Sequence, residues 1–160
     1  MNRTFENCTL LDTKTWFEKA RPSQTISSFS AQLGVHFEEV GEMIEALNPA
    51  DDDDVSVELL SQAFSAIKAL SDHLKNNHGS IFVLPKDRID MLDSICDQIV
   101  TATGVAHTLD YDIVGAMTEV NRSNYSKFDA DGLPIYNEQG KVMKGENYSP
   151  AELTAYLPAL

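Results

Sequence analysis

Apolar positions along most of this chain recur with helical rather than strand periodicity. In "SQTISSFSAQLGVHFEEVGEMIEALNP", Phe29, Leu33, Phe37, Val40, Ile44 and Leu47 follow one another at steps of three or four. That spacing lays one apolar stripe along a helix. Serines and threonines ahead of it offer N-caps, and Pro49 ends it. From Val55 to about Asn76 the pattern returns with Leu59, Leu60, Ala63, Phe64, Ile67, Leu70 and Leu74, until "NNHGS" stops it. "LLDTKTWFEKARP" predicts a shorter helix ended before Pro22. Asp87 to Leu109 reads as a fourth helix, and Asp112 caps a fifth that runs to about Ser126.

After Asp97 the fourth helix is small or apolar on most faces, which predicts a place in the middle of a bundle. "ADDDD" reads as a loop whose last aspartates suit the N-terminus of the helix that follows. "IFVLPK" reads as an extended connection. Beyond Phe128 the pattern changes. "FDADGLPIYNEQGKVMKGENYSP" carries turn pairs at Asp131-Gly132, Gln139-Gly140 and Lys144-Gly145, so "LPIY" and "KVMK" predict a small hairpin or an ordered arm. The expected fold is an all-α bundle in a single domain over residues 1–160, with a core at about 28–128 and a C-terminal extension at about 129–160.

The chain has 160 residues, 42% of them hydrophobic, which is enough for a core. Its net charge of -13 repels bare nucleic acid and anionic membranes, so neither is expected as a partner. A phosphorylated small molecule would need metal ions or a local basic cluster to bind. Cys8 and Cys96 form no metal-binding spacing, and Cys96, in an apolar run, reads as a buried thiol. No segment has the pattern of a signal peptide or a membrane span, so a cytoplasmic setting is expected.

Charge changes the picture most at "HFEEVGEMIEAL". Glu38, Glu39, Glu42 and Glu45 stand there without a lysine or arginine. At about 100° per residue, Glu38, Glu42 and Glu45 share one stripe with Glu39 at its edge. Each like-charged neighbour pair costs roughly 0.2–0.5 kcal/mol. Most such stripes are solvated faces. Yet a second one follows, with Asp90, Asp93 and Asp97 on the fourth helix, where Asp97 borders the stretch expected to be buried. A buried carboxylate requires a cation, a donor or a proton. Two all-oxygen stripes on helices expected to pack together suggest a site for a hard divalent cation, Mg²⁺ or Mn²⁺. The four histidines do not make the paired Glu-x-x-His motifs of a di-iron bundle, and the glycine of "DADG" is misplaced for a calcium loop.

"EVNRSNYSKF" then gathers Asn121, Arg122, Asn124 and Lys127, in a chain with only 12 basic residues. Such groups are customary at a helix C-terminus, and they are also what a phosphate needs beside metal ions. Lys141 and Lys144 in the tail are further candidates. Trp16, Phe29, Gln32 and His36 could face a base or simply pack.

Together these segments resemble the all-α nucleoside triphosphate pyrophosphohydrolases, the group that includes MazG and phosphoribosyl-ATP pyrophosphohydrolase. "EEVGE" at 38–42 matches the family's Glu-Glu-x-x-Glu, and "DQIVTATGVAHTLDYDIVGAMTEVNRSNYSKF" is similar to its region from the metal-binding aspartate onward. The tail is similar to phage-type members. The resemblance spans roughly residues 28–150. Ser94 stands where the family has a glutamate, and Asp93 lies on the same face.

The resemblance implies a MazG-like bundle that binds Mg²⁺, or Mn²⁺, through Glu39, Glu42, Asp97 and Asp93. Glu38 would be the catalytic carboxylate, binding a further ion or orienting water. Asn121, Asn124 and Lys127 would hold the triphosphate. It also implies hydrolysis between the α and β phosphates, a homodimer or homotetramer, and a cytoplasmic location (the host's, if phage-encoded). The competing readings are phosphoribosyl-ATP hydrolysis, a narrow dUTP or dCTP pyrophosphatase, and a non-enzymatic acidic protein that binds nucleotides or partners.

Overall fold

A computed structural model describes residues 9–51, 53–137 and 141–159. The architecture is all-α. Its helices are α1 (Thr9–Ala20), α2 (Ile26–Glu45), α3 (Asp54–Asn76), α4 (Arg88–Thr108) and α5 (Ile113–Tyr125). Their starts follow from local chemistry. The Thr25 hydroxyl accepts from the Ser28 amide, and Ser28 answers with a bond to the Thr25 backbone, closing a capping box on α2. Asp53 accepts from the Ser56 amide to cap α3, and Asp112 from the Gly115 amide to cap α5. The Ser56 hydroxyl bond, then its amide bond, holds the Asp53 carboxyl below the usual range. "IFVL" is extended as expected, and a 3-10 turn at Pro85–Asp87 leads into α4. No helix among the described residues is long and apolar enough to cross a membrane.

The chain divides into two compact units, Ser23–Arg88 and the combination of Met1–Pro22 with Ile89–Leu160. In the first, α2 and α3 form an antiparallel hairpin. The most buried part of the seam is made by small residues. The buried residues of α2 are Ser30, Gly34 and Gly41, against Ser71 and Leu74 of α3. The Ser71 hydroxyl donates to the Gly34 carbonyl at 2.8 Å, and the Ser30 hydroxyl to the Leu74 carbonyl at 3.1 Å. A Cβ at Gly34 would lie 2.9 Å from the Ser71 carbonyl oxygen. Small residues let the backbones approach, and larger apolar residues flank the seam half-buried or, like Met43 and Leu47, exposed.

The second unit is organised around α5. Asn121 is 4% exposed. Its amide nitrogen donates to the Thr9 carbonyl at 2.9 Å and its oxygen accepts from the Thr13 hydroxyl at 2.8 Å, tying α1 to α5. The Trp16 indole donates to the Asn124 carbonyl at 2.9 Å and stacks on the buried Phe128 ring at 5.9 Å.

The C-terminal segment is an ordered arm that retraces α5 backwards. The Gly145 amide bonds the Lys127 carbonyl at 3.0 Å, Ser149 exchanges bonds with the Ser126 hydroxyl, and the Glu152 amide meets Glu119 at 2.9 Å. The Tyr156 carbonyl finally accepts from the Asp112 amide at 3.0 Å. Its ring covers Gly115, where an added Cβ would lie 2.6 Å from it. "LPIY" and "KVMK" meet through a single antiparallel bridge, Tyr136 with Val142. Two expected features, Cys8 and the turn at Gln139-Gly140, lie outside the described residues.

Helix α4 departs from expectation. It was expected in the middle of a bundle, yet only Ala106 is buried along its length. Ile89 is 80% exposed and Val100 67%. Among the described residues of its unit, helix packing joins α5 to α1 and to the 3-10 turn at Thr154–Tyr156, not to α4. Asp97 and Cys96 are therefore exposed rather than buried. An apolar composition shows that a helix has faces to cover, but not that one copy of its own chain covers them.

Candidate functional site

The acidic motif lies on the regular body of α2. The close seam puts Gly34 under the stem of Lys75, and Glu38 stands one turn further along α2. Lys75 Nζ consequently reaches Glu38 Oε1 at 2.8 Å, with Asp72 Oδ1 at 3.4 Å on its other side. The bond to Glu38 raises the ammonium's pKa above its ordinary value, with burial opposing. Glu38 thus has a cation from the neighbouring helix. With side-chain exposures of 26% and 45%, this pair contributes at most about 1 kcal/mol to stability.

Glu39 and Glu42 are exposed and stand one turn apart on α2. They offer hard carboxylate oxygens of the kind Mg²⁺ takes. Glu38 fits such an ion less well, because one of its oxygens already faces an ammonium. On α4, Asp93 and Asp97 are exposed and share a stripe with Asp90. Ile89, Leu92, Cys96, Ile99 and Val100 form an exposed apolar stripe directly beside them, at about 100° per residue. Among the described residues, no group of three histidines, cysteines or carboxylates is placed to hold a metal ion. Glu39 and Glu42 therefore supply the right donor type in an incomplete number.

The basic, amide-rich segment separates into different tasks. Both ends of the Asn121 amide are engaged with α1, so phosphate binding there would have to break two hydrogen bonds. Arg122 makes a two-pronged bond to Glu119, at 2.7 Å on each side, and a third to the Pro150 carbonyl at 2.9 Å. The Arg122 guanidinium, followed by the Glu152 amide, lowers the Glu119 carboxyl to about 2. Arg122 thus fastens the arm. Asn124 and Lys127 stay together, with Lys127 Nζ 2.7 Å from Asn124 Oδ1 and 5.7 Å above the Trp16 ring. Trp16 packs and supports this pair. Lys141 is exposed, and Lys144 lies 4.3 Å over the Tyr148 ring, within the arm.

Sequence reasoning missed Lys75, Glu119 and the seam residues Gly34 and Ser71. The serine and glycine four apart on α2, Ser30 and Gly34, were the available signal for a close seam. No protein-family model matches this sequence, and no curated protein and no solved structure is significantly similar to it.

Proposed function

We propose that this protein is a Mg²⁺-dependent nucleoside triphosphate pyrophosphohydrolase of the MazG-like type, active as a homo-oligomer. The observation that carries this reading is the placement of "EEVGE" on α2, with Glu39 and Glu42 exposed one turn apart. Asp93 and Asp97 on α4 are exposed as well, beside an apolar stripe that a second copy would cover. Bound Mg²⁺ would neutralise the polyphosphate and activate water. Glu38 orients the attacking water. Asn124 and Lys127 bind phosphate oxygens through an amide and an ammonium. Hydrolysis breaks the α–β phosphoanhydride, and the water oxygen ends on the monophosphate.

The non-enzymatic reading draws on Asn121 and Arg122, whose polar groups are engaged within the chain. One assay separates the two. Purified protein is incubated with each NTP and dNTP plus Mg²⁺ or Mn²⁺, and monophosphate and diphosphate are measured. Turnover abolished by Glu42→Gln, with helicity retained, is the expected result. Silence across the panel overturns the enzymatic reading. Turnover confined to dUTP, dCTP or phosphoribosyl-ATP would narrow the substrate.

A further inference from the structure

We infer that the loop end of the α2–α3 hairpin is a docking groove for a basic amphipathic helix of a partner protein. This surface goes beyond the pyrophosphohydrolase reading and does not depend on it. The seam loosens toward this end. A Cβ at Gly34 would lie 2.9 Å from backbone, whereas at Gly41 its nearest neighbour would be 3.7 Å away. Beyond Gly41 the two helices leave a groove of about 200 Å³, lined by Ile44, Leu47, Pro49, Val57, Leu60 and Phe64. Leu47 and Val57 remain 54% and 51% exposed there. That volume falls below the roughly 300–1,000 Å³ of small-molecule sites and suits one or two inserted side chains of a polypeptide.

The rim selects the occupant. Glu45 lines the groove itself. Asp54 and Glu58 stand exposed on the first turns of α3. They lie about 60° and 100° around the helix from Val57. Residues 37–67 carry nine carboxylates and no lysine, arginine or histidine. A second copy using the same face would set these carboxylates against their own kind, and nucleic acid and anionic membranes are repelled in the same way. The walls are helices with no strand edge to extend, so an incoming chain binds through side chains rather than backbone. A helix with apolar residues three and four apart, flanked by lysine or arginine, matches both the floor and the rim. Apolar burial supplies the affinity, and the exposed carboxylates supply steering and the choice of sign.

The test uses the full chain and three synthetic peptides. One is a helix of leucine and lysine in amphipathic repeat, the second has glutamate for each lysine, and the third is a lysine–glycine peptide of equal charge without leucine. Calorimetry measures binding and NMR locates it. The leucine–lysine helix should bind one per chain, about ten-fold or more tightly than either control, and shift the resonances of Ile44, Leu47, Val57 and Leu60. Leu47→Ser should weaken it roughly ten-fold, the worth of burying the exposed half of a leucine. Val57→Thr, close in shape, repeats this test with less risk to the fold, and circular dichroism verifies helicity in each variant. Glu45→Lys combined with Glu58→Lys should abolish the weakening of binding by added salt. Equal binding of the leucine-free peptide reduces the surface to unspecific charge and overturns the inference. Shifts at Leu92 and Ile99 of α4, with Ile44 and Leu60 unmoved, overturn it as well. A lower sedimenting mass for Leu47→Ser without peptide would assign the groove to a second copy, again against the inference. It also falls if the leucine–lysine helix shows no saturable binding.

Discussion

Gly34 on α2 and Lys75 on α3 meet so closely that a Cβ at Gly34 would lie 2.8 Å from Lys75 Cγ and 3.0 Å from its amide nitrogen. Gly41, further along the same seam, is different. A Cβ there would meet Ile67 Cγ2 at 3.7 Å, an ordinary contact. Gly34→Ala should therefore destabilise the hairpin by about 1–3 kcal/mol, the usual effect of overpacking against backbone. Gly41→Ala should stabilise it by about 0.5–1 kcal/mol, through the lower backbone entropy of the unfolded chain. Denaturant unfolding of both variants checks the contrast.

Asn121 gives a second prediction. Its buried amide satisfies Thr9 and Thr13 at once, so Asn121→Ala should cost about 1–3 kcal/mol. The loss should appear first in Trp16 fluorescence, because α1 is then tied to α5 by fewer bonds, the Trp16–Asn124 bond among them. A variant with unchanged stability but a raised KM for triphosphate would return Asn121 to phosphate binding.

The arm should respond to acid in a defined window. The Glu119 carboxyl lies at about 2 in the fold against an ordinary 4.5. Its contribution is complete above 4.5 and is lost as pH falls through about 2. The Glu152 amide, bonded to Glu119, should hold its NMR shift through 4.5 and move only as pH approaches about 2. Arg122→Gln should free residues 145–157 to proteases at neutral pH, because the guanidinium bonds both Glu119 and Pro150.

Helix α4 predicts assembly. Leu92, Ile99 and Val100 are exposed side by side, and their burial by a second copy would supply the hydrophobic driving force for association. Sedimentation velocity should give a mass above that of one chain. Ile99→Asp should shift the protein toward monomer and, in the proposed reading, lower turnover with it. A monomeric parent would refute this use of α4.

The helices were legible because their signals are local. Periodicity, caps and prolines marked α1 to α5 almost to the residue: Asp112 caps α5, and Arg88–Thr108 lies within the expected 87–109. The bundle around α4 was not legible. A helix apolar on many faces is the same sequence whether its own chain or another copy covers it.

The candidate site divides along the same line. The phase of Glu38, Glu39 and Glu42 follows from 3.6 residues per turn, and sequence alone determined it. The partner of Glu38 depended on which residue of α3 lies opposite. That register is set by Gly34 and Ser71 at the seam, more than 30 residues apart in the chain. Likewise "NRSNYSK" announced a basic, amide-rich helix end. Only the tertiary structure assigned Asn121 to α1, Arg122 to the arm, and Asn124 with Lys127 to each other. The physical reason is that composition and spacing fix what a side chain can bond and which way it leaves its helix. Which bond it makes depends on what non-local packing brings within about 3 Å.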